Sequence, residues 1–505
     1  MKKYFSAILV CLLIGGNSCK NLDVMPSDAI STETLITTSD GLTNALNGAY
    51  ALFKDHISFN GVVDNNNMYL RQFYHLSDFA SDDIVCGQVT TDPLFYSFSL
   101  DHSPSQGNTR YFWYLSYKII TGVNTVIDAV EKSGTQDPVK QQLLGECYFL
   151  RAFCHFNLVR LFGKPYSIDP ASPGIILRTN LTDPSQKKRS TVAEVYASVI
   201  ADAEKAAGLM TQPRGVQYAS KEAAWALLSR VNLYKEDNQK AIDYANMVIN
   251  SGRFSLTTSA TYPALFANAQ TSPETIFCIA FTAVDDYGKF GSIASMIYSD
   301  GNSGWGEEYA SSSLRNVMSK HPEDVRWSYI VPLKDGSGTV QKKNGIEVYY
   351  ISKFSFQGGL PNLSSPIMFR LSEMYLNKAE AEAKMSNNSA ALDDVDMIRK
   401  NRGLTGSLYN RTLPSGYTAL DVVLEEKRIE MAFEGHRTYD VYRNKRSLNK
   451  AYWGYHLAGL KETDIDLSKT PTGYANLSVS YTSPRIIYFL PIDETLSNPQ
   501  ATQNQ

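Results

Sequence analysis

Apolar residues recur at three- and four-residue steps through most of the chain, which is the signature of amphipathic helices. Residues 40–55 carry one such pattern. Residues 109–134 carry a second, with Tyr114, Tyr117, Ile120, Val123, Ile127 and Val130 in step. A third runs over 137–163, where Asp137-Pro138 supplies an N-cap and a first-turn proline, and Gly163 and Pro165 stop it. Residues 190–210 open with Thr191-x-x-Glu194, a capping box. Residues 220–252 predict two helices about the Asp237-Asn238 turn, with Trp225, Leu228 and Ala241 at the offsets of a tetratricopeptide unit. A similar pair recurs over 369–403, turning at Asn387-Asn388 and stopping at Gly403. Recurring helix pairs predict an all-α scaffold with tetratricopeptide-like units and a few short strands.

Two stretches break the period. Residues 56–107 and 253–362 are rich in Asn, Asp, Ser, Gly and Tyr, and read as long irregular insertions. Insertions of that length in a packed domain are functional or disordered, and their aromatics argue against disorder.

The N-terminus changes the picture. Lys2 and Lys3 precede an apolar run from Tyr4 to Ile14 and a patch of small residues, the layout of a secretory signal peptide. The patch ends in Ser18-Cys19, which resembles a bacterial lipobox, with Gly16 where Leu is usual. Cys19 is therefore the expected lipidation site, and its acyl chains would anchor the mature protein to a membrane. The expected organisation is a signal peptide over 1–18, a lipidated cysteine and extended tether over 19–38, a helical half over 39–252 and a second half with the ligand loops over 253–505.

The chain has 505 residues and a formal net charge of −3, with no basic tail, so nucleic acid is not an expected partner. Cys86, Cys147, Cys154 and Cys278 form no C-x-x-C pair and read as small buried apolar residues. The seven histidines show no metal-ligand spacing, and no motif calls for a cofactor. The most catalytic-looking stretch is Val423–Arg443, where Glu, Lys, Arg, His, Asp and Tyr crowd together. Taken as one helix, it places Ile429, Ala432, Phe433, His436, Tyr439 or Asp440, and Arg443 on one stripe and lets Glu434 pair with Arg437. That pattern favours a packing face over a catalytic set. The adjacent carboxylates Asp82-Asp83, Asp285-Asp286 and Glu307-Glu308 read as solvated loop residues, because sequence neighbours rarely converge across one sugar as a glycosidase requires.

Several long blocks resemble the SusD/RagB family of outer-membrane nutrient-binding lipoproteins: "ECYFLRAFCHFNLVRLFG", "FRLSEMYLNKAEA", "MIRKNRG", "EEKRIEMAFEGHRTYDVYR" and "IIYFLPIDETLSNP", in the family's order, with "NLDVMPSD" after the cysteine. The resemblance implies a mostly helical fold and an anchor in the outer membrane, facing outward. It also implies a TonB-dependent β-barrel transporter of the SusC type as partner, a captured ligand that is an oligosaccharide or in some members a peptide, and no catalysis. A sugar site needs flat aromatic faces and polar groups for hydroxyls. The irregular stretches offer Asp64, Asn66, Tyr69, Arg71 and Tyr74 in the first, and Tyr287, Tyr298, Trp305 and Tyr309 in the second. Trp305 stands out, because the glycines around it leave the ring few local neighbours. Three readings stay open at this point: a glycan binder, a peptide binder of the same family, and a glycosidase.

Overall fold

The structure is a computed structural model that describes residues 38–64, 67–87, 94–100, 102–134, 136–343, 345–450 and 478–504. It is mostly helical. The helices are α1 (Ser39–Ala51), α2 (Tyr69–Asp78), α3 (Phe95–Ser99), α4 (Gly107–Ser133), α5 (Pro138–Phe162), α6 (Val192–Leu209), α7 (Lys221–Lys235) and α8 (Asn238–Ile249). After a long irregular stretch come α9 (Gly288–Gly291), α10 (Ser312–Met318), α11 (Leu371–Lys384), α12 (Asn388–Asn401), α13 (Ala419–Glu430), α14 (Arg437–Arg443) and α15 (Ile492–Ser497). Short antiparallel strand pairs tie the loops together: β1 (Ile84–Cys86) with β3 (Glu308–Ala310), and β2 (Thr275–Cys278) with β8 (Ile367–Arg370). The others are β4 (Ile330–Pro332) with β7 (Tyr349–Ile351), β5 (Lys342–Lys343) with β6 (Ile346–Glu347), and β9 (Leu448–Asn449) with β10 (Ser478–Val479).

Helix α5 is the axis. Asp137 accepts from the Val139 amide at 3.0 Å, Pro138 occupies the first turn, and Gly163 caps the end. Every residue from Gln142 to Phe162 is buried, so no face remains for water. Its polar members are paired rather than exposed. Arg151 grips Asp202 of α6 through two bonds of 2.7 Å, and Glu146 accepts from Arg214 at 2.9 and 2.7 Å. Cys147 and Cys154 are free, buried thiols. Helices α4 and α6 flank α5; α7 and α8 form one helix pair and α11 and α12 another, with α8 packed on α11. The main apolar core runs from Leu42 to Ala501 and draws on both sides of residue 252.

Two expectations are corrected. The first irregular stretch contains α2, all ten residues of which are buried. Its apolar residues Tyr69, Leu70, Phe73, Tyr74 and Leu76 do recur at helical steps, but its polar side, with Arg71, Gln72, His75 and Asp78, is buried too. The stretch Val423–Arg443 is two helices, not one. Phe433 (φ 67°) and Gly435 (φ 74°) adopt left-handed backbone between α13 and α14. The Gly435 amide thereby donates to both carboxylate oxygens of Asp78 at 3.1 Å, and an added Cβ would lie 3.1 Å from Ser77 Oγ. The end of α2 thus comes close to this turn, and the single-helix stripe does not exist.

Candidate ligand-binding surface

Trp305 sits in a loop built to hold it outward. Asp300 accepts from the amides of Asn302 and Ser303 at 2.9 and 2.7 Å, closing a tight turn. Gly304 (φ 86°) and Gly306 (φ 57°) flank the tryptophan in left-handed backbone. A Cβ on Gly304 would fall 2.2 Å from the Tyr298 carbonyl oxygen, and one on Gly306 would fall 2.7 Å from the Tyr350 ring. Only glycine fits at either place. The Trp305 amide then donates to the Ser295 carbonyl at 2.6 Å. The indole is left 44% exposed, with one edge contact to Phe290 at 5.2 Å and the Lys289 ammonium 5.7 Å from its ring centre.

Phe290 is itself 51% exposed, on the short helix α9. Its position is fixed from below by α2. Arg71 donates to the Phe290 carbonyl at 3.1 Å, and one turn on, His75 Nε2 donates to the Ile293 carbonyl at 3.0 Å. Burial holds the His75 pKa well below its ordinary value, so it acts as a neutral donor. Tyr287, half-buried, lies against His56 with ring centres 4.1 Å apart. Burial, then the carboxylates of Asp55 and Asp285, push its phenol up to about 12, so it stays a neutral donor. Asp64 is exposed beside them, its carbonyl 3.2 Å from His56 Nδ1 and its carboxylate accepting from Asn67 at 3.2 Å.

The structure therefore brings Asp64, Tyr287 and Trp305 to the surface and buries Tyr69, Arg71, Tyr74, Tyr298 and Tyr309. Tyr69 packs among Phe53, Phe73 and Phe112 in the core. Tyr74 is buried, with its hydroxyl on the Ile367 carbonyl at 3.1 Å. Tyr309 lies buried in β3, and Tyr298 is buried beneath Phe356 and Tyr350. Arg71 is buried as well, and it serves the loop rather than solvent. Asn66 and Cys19 lie outside the described residues. Phe290 was missed, although Gly288 and Gly291 bracket it much as glycines bracket Trp305.

The charged C-terminal stretch is an ion-pair lattice. Arg370 binds Glu430 (2.5 Å), Glu434 (2.8 Å) and Glu274 (2.9 Å); Arg402 binds Glu430 (2.7 Å) and Glu274 (3.0 Å); Lys353 binds Glu434 (2.7 Å). All are buried. Glu434 thus pairs with Lys353 and Arg370, not with Arg437, which grips Asp82 at 2.7 Å. Five of the six adjacent carboxylates are also not solvated, and the sixth, Asp286, is half-buried. Asp82 and Asp83 are buried against Arg437 and Arg428, Asp285 is buried on Lys54 at 2.7 Å, and Glu307 and Glu308 are buried. Burial pushes the Asp82 carboxyl up, but the two guanidiniums beside it outweigh that and hold it down at about 2.

Comparison with known proteins settles the lineage. Residues 20–233 match a family model described as starch-binding, associating with outer membrane, and residues 297–505 match the model of the SusD family. The chain belongs to the SusD family. Two SusD-like proteins of Formosa agariphila, P38 and P2, are 25% and 28% identical to it. The alignments cover 89% and 88% of this chain, and 93% and 91% of the relatives. A SusD superfamily structure from Bacteroides thetaiotaomicron superposes with a TM-score of 0.79 at 27% identity, covering 93% of this chain and 100% of that one. A Bacteroides vulgatus structure assigned as sugar-binding superposes at 0.75 with 26% identity, over 92% and 97% of the two chains. The SusD family is outer-membrane-associated, and its members are described as binding proteins. Among the described residues, no helix is long and apolar enough to cross a membrane.

Proposed function

We propose that this SusD family member is a cell-surface lipoprotein that captures an oligosaccharide and hands it to a SusC-type TonB-dependent transporter, with Cys19 carrying the lipid. The observation that carries the reading is the outward Trp305 indole, set on Phe290 in a loop that admits only glycine at 304 and 306. A ring face fixed in advance stacks on the apolar C–H side of a sugar at little entropic cost. Tyr287 and Asp64, which meet at His56, supply a donor and an acceptor. Catalysis is not part of the proposal: the Glu434 and Asp82 carboxylates are buried and tied to cations rather than set across an open cleft.

A glycan array run beside peptide pools tests the capture step. The wild type should retain one glycan class, and the Trp305→Ala protein should lose it. Retention of peptides alone would replace the glycan reading with a peptide one. Release of reducing ends from the bound glycan by purified protein would make it an enzyme.

A further inference from the structure

A second binding groove lies away from the Trp305 loop. It runs between α1, α4, α15 and the loop 176–185, with a volume of about 860 Å³. Its walls carry the half-buried rings of Phe59, Tyr114 and Tyr117, with Trp113 buried at its floor and 5% exposed. Phe59 and Tyr114 meet at 5.1 Å, and Trp113 and Tyr117 at 4.9 Å. The polar groups are held in place beforehand. Arg110 grips Asp493 through bonds of 2.6 and 2.8 Å, Trp113 Nε1 donates to Glu494 at 3.2 Å, and the Tyr117 hydroxyl donates to the Ile176 carbonyl at 2.7 Å. Three cations (Arg110, Lys118, Arg178) and three carboxylates (Asp183, Asp493, Glu494) line the groove, so its formal charge sums to zero.

We infer that this groove is a second oligosaccharide subsite, for a neutral sugar chain, on the same ligand path as Trp305. The inference rests on the glycan reading above. Charge balance disfavours acidic polymers, and polar groups alternating with aromatic faces suit hydroxyls and C–H faces. An extended peptide is disfavoured because three walls are helices, whose backbone groups are already bonded within the helix, leaving no strand edge to pair with. Three ring pairs lie along the chain segments that connect the two places: Trp305 with Phe290, Tyr287 with His56, and Phe59 with Tyr114. A polymer that engages both ends gains affinity from linkage alone.

The test uses full-length protein labelled with 5-fluorotryptophan, whose five signals are assigned by single Trp→Phe variants. Probes are maltoheptaose, cellohexaose, xylohexaose, mannohexaose, their parent polysaccharides, polygalacturonate and a peptide pool. The expected result is that a neutral glycan moves both the Trp305 and the Trp113 signals. Tyr114→Ala should then abolish the Trp113 response, keep the Trp305 response, and weaken polymer binding about tenfold. Movement of Trp305 alone overturns the groove while leaving the glycan reading intact. A Trp113 response confined to polygalacturonate or to peptides overturns the neutral-sugar assignment. If no glycan moves either signal, both readings fall together.

Discussion

Replacing Trp305 by Ala removes a ring that has one aromatic neighbour and broad contact with water. Thermal stability should barely change, while affinity for the glycan falls by on the order of 1–3 kcal/mol, taking base-on-aromatic stacking as the nearest analogue. Calorimetric titration and a melting curve on one variant separate this from a core role, for which stability would drop by about 3–5 kcal/mol instead. Gly304→Ala tests the loop from the other side. With the Tyr298 carbonyl 2.2 Å from the new Cβ and φ at 86°, the turn must rebuild at a cost of about 1–3 kcal/mol, and the indole loses its aim. That variant should lose binding with its tryptophan intact. The outward placement of Trp305 was legible in the sequence because its glycines are its immediate neighbours. Tyr69, Tyr74 and Tyr309 were not, because their burial depends on partners far along the chain: Tyr74 bonds Ile367, and Tyr309 sits in a strand paired with Val85.

At the scale of elements, caps and periods were readable and enclosure was not. The Thr191–Glu194 capping box and the Asp137-Pro138 start of α5 are local signals, and both stand as the sequence implied. Helix α2 has no side-chain cap to mark its start, and α4, α14 and the 290s loop pack around it. The break between α13 and α14 is likewise a tertiary choice: Gly435 bends to reach Asp78, 357 residues earlier. The same lattice supplies an element-level prediction. Glu434→Ala leaves Lys353 and part of Arg370 without their carboxylate, so unfolding in urea should show a loss of about 3–5 kcal/mol. An unchanged midpoint would show that the lattice does not hold these helices.

For the whole molecule, stability should depend on acid in a stated direction. The folded Asp82 carboxyl titrates near 2, below the roughly 3.9 of an unfolded aspartate. Its contribution is therefore complete above about pH 4 and is lost as pH falls toward 2. Melting temperatures of wild type and Asp82→Asn should differ at pH 5 and converge by pH 2. A constant gap would mean that Arg437 and Arg428 do not hold that carboxyl in its charged form. Placement in the cell is tested separately. Cys19→Ala should release the protein from the outer-membrane fraction and abolish labelling by a palmitate analogue in the native host.

The sealed cysteines give the molecule an internal clock. Cys86, Cys147, Cys154 and Cys278 sit on β1, α5 and β2, each buried and none in a disulfide. Burial pushes the Cys278 thiol up to about 12 and raises Cys147 and Cys154 as well. Since only exposed thiolate reacts, an alkylating reagent in excess can modify these sites only when the surrounding structure opens. Modification rates, read peptide by peptide, therefore report the free energy of each opening. Equal rates at Cys154 and Cys278 would mark the segments before and after residue 252 as one cooperative unit. A faster Cys278 would mean that the second half comes apart first.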